Sequence, residues 1–217
     1  PNSTDKTKDG GGTPYANYSQ FAWGNGTTGA DTVDLTQELS AQTKAMMSTY
    51  GRGAWMDFSQ GGGDRIVGTA YGDDIAVGSG VNYVDGGANG GSTPWGGKPR
   101  DTLQIYAANA TVAQSAQLVT LSNSGSSADV AAYADGYTAK VVLGSDVTYV
   151  KNIETISIVV WDDANSNGQK DYYPDGSKNE VQQVRSFNLA AVINEVYVDP
   201  NSTDKTKDGG GTPYANY

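Results

Sequence analysis

Three acidic or amide residues in the Gly-rich stretch 61–87 recur at intervals of nine, and they are Asp64, Asp73 and Asn82. An apolar residue stands two positions after each of them, and these residues are Ile66, Ile75 and Val84. Carboxylate and amide oxygens suit Ca²⁺, and glycine permits positive-φ corners between short strands. The spacing predicts nine-residue turns that each carry one oxygen-bearing side chain and one inward-pointing apolar residue.

This pattern resembles the RTX nonapeptide, G-G-x-G-x-D-x-U-x, of calcium-binding parallel β-rolls. Asp101 and Leu103 restore the D-x-U beat, and NIETISIVVWDD at 152–163 is similar to a phrase that often follows RTX turns. The glycine pattern is imperfect, because Thr69, Ala70 and Tyr71 precede Gly72. The resemblance implies fewer calcium sites than a full RTX block, with candidate ligands at Asp64, Asp73, Asn82, Asp85 and Asp101. An ordinary Gly-rich turn region is the alternative.

A second candidate site lies at residues 163–171, which read DANSNGQKD. The segment is similar to the D-x-[DN]-x-[DN]-G calcium loop of EF-hands and related extracellular repeats. Position 12 is Pro174 instead of the usual bidentate Glu, so Asp162 or Asp175 is expected to complete the site. The predicted ligands are Asp163, Asn165, Asn167, Gln169 (through its carbonyl), Asp171 and Asp175. An apparent strand precedes the loop, so a true EF-hand helix pair is not expected. The alternative is an Asn/Gly turn in a hairpin.

The two ends of the sequence are identical, since residues 1–18 and residues 200–217 both read PNSTDKTKDGGGTPYANY. The simplest interpretation is a tandem array of modules with a period of 199 residues, of which this chain holds one period and the start of the next. An engineered duplication is the alternative. A repeat of this length is a whole domain, because solenoid units have periods of only about 20–50 residues.

The composition excludes several classes of protein. The chain of 217 residues has no His and no Cys, so it has no Ser-His-Asp triad, no Cys nucleophile and no His- or Cys-ligated zinc. A formal net charge of −10 argues against nucleic-acid binding and against binding to an anionic membrane. Uninterrupted apolar runs are far shorter than the roughly 20 residues of a membrane-spanning helix. No membrane insertion is therefore expected.

The pattern of elements predicts a mainly β fold. We expect a short calcium-binding parallel β-roll-like segment, an antiparallel, sandwich-like β portion, and one short helix over 34–50 that Gly51 ends. Segments 103–112, 116–122, 128–134, 137–143, 147–150 and 154–161 are predicted strands. The predicted divisions are 1–18 (start of one period), 19–56 (loop and helix), 57–103 (RTX-like turns), 104–199 (β-rich, with the loop 163–171) and 200–217 (start of the next period).

The resemblance implies a calcium-stabilised structural module of a long secreted or surface protein of bacteria, such as an adhesin, surface layer or filament. Its expected cofactor is Ca²⁺, its expected location is extracellular, and its expected partners are neighbouring identical modules, head to tail or side by side. No enzymatic activity is expected. The alternative function is a carbohydrate-binding module of a secreted array, because Tyr (14) and Trp (4) are plentiful and aromatic rings bind sugars.

Overall fold

The structure is a computed structural model that describes residues 22–89, 100–166 and 180–189. Its elements follow in chain order. They are β1 (Ala22–Asn25), β2 (Thr32–Asp34), α1 (Leu35–Glu38), α2 (Ala41–Tyr50), β3 (Ala54–Phe58), β4 (Arg65–Val67), β5 (Asp74–Val77), β6 (Val81–Asp85), β7 (Thr102–Ala107), α3 (Ala110–Gln114), β8 (Gln117–Thr120), α4 (Ser127–Ala134), β9 (Ala139–Leu143), β10 (Asp146–Lys151), β11 (Thr155–Trp161) and β12 (Val181–Asn188).

The strands form two six-stranded sheets, with the orders β1-β3-β5-β7-β11-β12 and β2-β4-β6-β10-β9-β8. From β1 to β7, each strand lies in the opposite sheet from the strand before it. Neighbours in this part are parallel, and Ile66 pairs with Val84, 18 residues later. Two nine-residue beats therefore make one winding across both sheets, and the prediction of a mainly β fold is confirmed.

The core lies between the two sheets and takes one apolar residue from each beat of the sequence. The predicted inward residues Ile66, Ile75, Val84 and Leu103 are all buried there. Strand pairing aligns Ile75 with Leu103, and Leu103 with Ile156. The D-x-U spacing therefore identified the positions that form the interior.

The helices differ from the prediction, because four helices are present in the described ranges where one was expected. The predicted helix is two: Asp34 caps α1 by accepting from Thr36 N–H, and Ser40 caps α2 by accepting from Thr43 N–H. Gly51 ends α2 in the left-handed conformation, at φ 65°. Segment 128–134, predicted as a strand, lies in α4, because Ser126 caps the first turn through Asp129 N–H.

The antiparallel portion is not a separate sandwich. Strand β10 pairs in parallel with β6 and antiparallel with β9, so the antiparallel strands extend one of the two sheets. Strand β12 likewise extends the other sheet, antiparallel to β11. Both sheets are therefore mixed. No helix in the described ranges is long and apolar enough to cross a membrane.

Candidate metal centre

Two buried carboxylates and one partly buried carboxylate form a ladder where the strands of the first sheet begin. Asp73, Asp101 and Glu154 each stand immediately before a strand, β5, β7 and β11. Asp73 Oδ1 accepts from Ala54 N–H at 2.5 Å, Asp101 Oδ1 from Asp73 N–H at 2.7 Å, and Glu154 Oε2 from Asp101 N–H at 2.8 Å. Each side chain thus bonds the backbone of the preceding winding at the matching position.

The second sheet carries an equivalent ladder. Asp64 Oδ1 accepts from Asp31 N–H at 3.0 Å, and Asn82 Oδ1 accepts from Asp64 N–H at 2.9 Å. Asn82 Nδ2 donates onward to Thr148 Oγ1 at 3.3 Å, the residue opposite it on β10. The nine-residue register therefore divides between two ladders, with Asp64 and Asn82 in one and Asp73 and Asp101 in the other.

The ladders explain why short polar residues stand at these positions. Parallel strand starts leave N–H groups that must find acceptors when they are buried. Asp64, Asp73, Asn82 and Asp101 are all at most 1% exposed, so solvent does not serve them. Their oxygens accept these hydrogen bonds. Each residue therefore has a structural role that requires no bound ion.

Two of the ladder carboxylates nevertheless have one oxygen that takes no part in the ladder. Asp64 Oδ2 and Asp101 Oδ2 are buried and have no hydrogen-bond partner in the described part of the chain. Burial raises the pKa of Asp64, and it raises the pKa of Asp73 to about 6 against the opposing hydrogen bonds from Thr69 and Ala54. Burial raises the pKa of Asp101 to about 9, and the nearby carboxylates of Asp73 and Glu154 add to the effect. Nearby positive charge would favour the ionised forms.

Asp85, the fifth candidate in this stretch, lies at the other end of its strand and outside the ladders. Its Oδ2 is 3.1 Å from Lys151 Nζ, and its Oδ1 accepts from Asn152 Nδ2 at 2.8 Å and from Gly87 N–H at 3.0 Å. Asp85 therefore takes no part in the hydrogen bonds of either ladder.

The loop of the second candidate site connects the antiparallel strands β11 and β12. Asp163 is partly buried and Asn165 is exposed at its start, and Ser166 N–H donates to Asp163 O at 3.1 Å in a tight turn. The other predicted ligands, Asn167, Gln169, Asp171 and Asp175, lie outside the described residues.

Glu180 closes the base of this loop and was not among the predicted ligands. It is 1% exposed, and its Oε1 accepts from Asn165 N–H at 3.1 Å, while its backbone carbonyl accepts from Asp162 N–H at 2.9 Å. Glu154 was missed in the same way. The signal for Glu154 was available, because it stands two residues before the buried Ile156, as each ladder Asp does before its apolar residue.

Within the described ranges, no group of three or more His, Cys, Asp or Glu side chains is arranged to hold a metal ion. Two sets of residues could contribute to such a site. One is the ladder carboxylates with a free oxygen, and the other is the start of the 163–171 loop with Glu180.

Part of the tyrosine content belongs to a small second core beneath α4. Tyr83 stacks on Tyr149 with centroids 4.9 Å apart, and Tyr137 meets both rings edge-on. Tyr137 and Tyr149 are buried, and Lys151 Nζ lies 5.0 Å from the Tyr137 ring centroid. These three rings pack against each other, so they do not form a flat platform for a sugar.

Asp129 ties α4 to this second core, and its replacement tests the attachment. Its Oδ1 accepts from Lys140 Nζ at 2.7 Å and from Tyr149 Oη at 3.0 Å. The hydrogen bond from Lys140 lowers the pKa of Asp129 to about 2. We expect Asp129→Asn to lower the free energy of unfolding near pH 7 by about 1–3 kcal/mol. Because the folded pKa is lowered, this difference disappears as the pH falls from about 4 towards 2.

Urea unfolding at both pH values measures this difference. Asp135→Asn is the matched control, because Asp135 is exposed and lies 3.9 Å from Arg65. The control is expected to change the free energy of unfolding by less than about 0.5 kcal/mol. An equal loss in both variants would contradict the attachment.

Comparisons of this chain with protein-family models, with curated proteins and with solved structures found no match.

Proposed function

We propose that this chain is a calcium-stabilised structural module of a long extracellular bacterial protein, an adhesin, surface layer or filament, in which identical modules follow one another. The observation that carries the proposal is the 18-residue winding between two sheets with an acid or amide before each inward apolar residue. The identical segments 1–18 and 200–217 support the tandem arrangement.

Calcium would act on this module by charge neutralisation. The ladder stacks Asp73, Asp101 and Glu154 on neighbouring windings, with two orphaned buried oxygens in the two ladders. Buried carboxylates repel each other and are costly to ionise without a cation. A bound Ca²⁺ favours the ionised forms, so calcium binding and folding stability are coupled.

We propose the 163–171 loop as the stronger calcium site, with Asp163 as its first ligand. Glu180 takes the part that the missing Glu at loop position 12 plays in an EF-hand. The support is its burial at the loop base and its bond to Asn165 N–H. This replaces the expectation that Asp162 or Asp175 completes the site.

The test is thermal unfolding of the chain in millimolar calcium and in EDTA. At a calcium concentration of 100 Kd, binding adds about 2.7 kcal/mol, which corresponds to a rise in Tm of roughly 5–10 °C for a domain of this size. We expect Asp163→Ala and Glu180→Gln to reduce this rise by at least half, while their Tm in EDTA changes much less.

Asp135→Ala, which removes an exposed carboxylate, is the matched control and leaves the calcium response intact. The proposal is overturned if the wild-type Tm is the same in calcium and EDTA. If Asp163→Ala is destabilised equally in calcium and in EDTA, the loop does not bind the ion. Calorimetric titration with calcium then counts the ions that remain.

A further inference from the structure

Four strands lie at the outer edges of the two-sheet stack in the described part of the chain. β1 and β2 are the edge strands at one end, and β12 and β8 are the edge strands at the other. Within the described ranges, no further strand pairs with any of the four. Unpaired N–H and C=O groups along an edge are a template for another strand.

At the β8–β12 end, β8 is a short strand of four residues, but the longer β12 lacks most of the features with which proteins usually protect an edge. β12 has eight residues, no Pro and a single charge, Arg185, while β8 (QLVT) has no charge at all. Val119 on β8 is 37% exposed. Charged residues, prolines and short strands normally prevent such edges from pairing with another strand. The edge of β12 is therefore suited to pairing.

A groove opens between these two edge strands. Its volume is about 650 Å³, and its lining includes Leu118, Phe187 and Arg185. Arg185 is fixed across the groove, since its Nη1 donates to Gln114 O at 3.0 Å and its guanidinium lies 5.0 Å from the Phe187 ring centroid. Leu118 and Phe187 pack on the core but are only partly buried, so the described residues leave the interior incompletely covered at this end.

The opposite end carries acidic side chains, which are opposite in charge to Arg185. β2 and α1 present Val33 and Leu35, which are likewise partly buried against the core. Asp34 and Glu38 lie beside them, and no basic residue occurs in β1, β2 or α1. One cation from a neighbouring element reaches this end, because Lys44 Nζ of α2 donates to Thr36 O at 2.7 Å. One end thus offers an Arg within an apolar groove, and the other offers apolar residues flanked by carboxylates.

We propose that the β8–β12 end is the docking surface for the β1–β2 end of a second copy of this chain, the next module of the array. This inference rests on the proposed tandem function. Docking would continue both sheets across the junction, with β12 of one copy beside β1 of the next and β8 beside β2. The array is then a continuous stack rather than separate beads.

The chain is long enough to allow this docking. With a period of 199, the next β1 begins about 31 residues after Leu189. A chain of that length reaches at most about 100 Å, which far exceeds the strand spacing of about 4.8 Å. The covalent connection therefore keeps the next copy within reach of this surface.

The test compares amide hydrogen exchange in the 217-residue chain with that in a chain of two full periods. Docking predicts that β8 and β12 amides of the first module exchange at least tenfold more slowly in the two-period chain. Arg185→Glu and Glu38→Lys each reduce this protection, and the two together restore at least half of it. Arg100→Glu, an exposed charge reversal away from both ends, is the matched control.

Each outcome decides the proposal. Protection that appears in the 217-residue chain only as its concentration rises supports docking between copies. Full protection in the dilute 217-residue chain shows that its own residues cover the edge and overturns the proposal, as does equal exchange in both chains. The calcium response of Tm is measured separately. Its survival in that case leaves the proposed function standing while the docking fails.

Discussion

Replacing Gly86 with alanine is expected to lower the free energy of unfolding by about 3 kcal/mol or more. A Cβ on Gly86 would overlap Asn152 O and lie 2.6 Å from Asp101 Oδ2. Neither neighbour can retreat easily, because one is backbone and the other is a buried carboxylate that holds Asp73 N–H. Urea unfolding monitored by tryptophan fluorescence measures the loss.

Gly29→Ala is the control for this experiment. Gly29 lies in an exposed turn, where the nearest atom to an added Cβ is Thr27 Oγ1 at 3.6 Å, which is ordinary contact. We expect a change of less than about 0.5 kcal/mol. If Gly86→Ala is as mild as this control, the windings are not packed as closely as described.

In EDTA, the stability of the chain is expected to fall as the pH rises from about 4 to about 9. An unfolded Asp loses its proton near pH 4, whereas burial raises the folded pKa of Asp73 to about 6 and of Asp101 to about 9. The native state therefore binds more protons than the unfolded state in this window, and stability declines with pH. Above about pH 6, Asp101 accounts for most of the slope.

Asp101→Asn isolates this contribution. The amide keeps an oxygen for Asp73 N–H and carries no charge, so the variant is expected to lose most of the slope between about pH 6 and pH 8. Each unit in that range is worth up to about 1.4 kcal/mol. Guanidinium or urea unfolding at several pH values measures the slope.

Asp135→Asn is the control, since that carboxylate is exposed, and it is expected to keep the wild-type slope. Calcium should reduce or reverse the slope of the wild type, because the ion favours the ionised carboxylates. A wild-type stability independent of pH in EDTA would contradict the buried position of Asp101.

The repeating part of the fold could be predicted from the sequence because two structural requirements recur at the same interval. An acid that serves strand-start N–H groups and an apolar residue two positions later must recur together, as at Asp64 with Ile66 and Asp73 with Ile75. The same rule marks Glu154 with Ile156, but Glu154 follows Asp101 by 53 residues. There the regular nine-residue interval is lost, and periodicity no longer points to the residue.

The rest of the fold could not be predicted in the same way. At these residues two local structures compete, and the sequence pattern does not decide between them. Segment 128–134 has apolar residues compatible with a strand, but the Ser126 cap favours α4. The assignment of oxygens is similar. An Asp at a Gly-rich corner can bind an ion or a backbone N–H, and only the neighbouring winding, 18 or more residues away, supplies that N–H. The calcium ligands therefore remain predictions, whereas the hydrogen bonds from the side chains to the backbone are seen in the structure.

The position of the edge strands also sets how the module responds to tension. β1 and β12 lie at opposite ends of the first sheet, so a pull at the two ends of the described chain meets the outermost strands first. It breaks their hydrogen bonds one after another, as a zipper opens, instead of shearing a whole strand at once. Because each winding contacts mainly its neighbours, extension would release length in small steps and let the chain absorb force gradually.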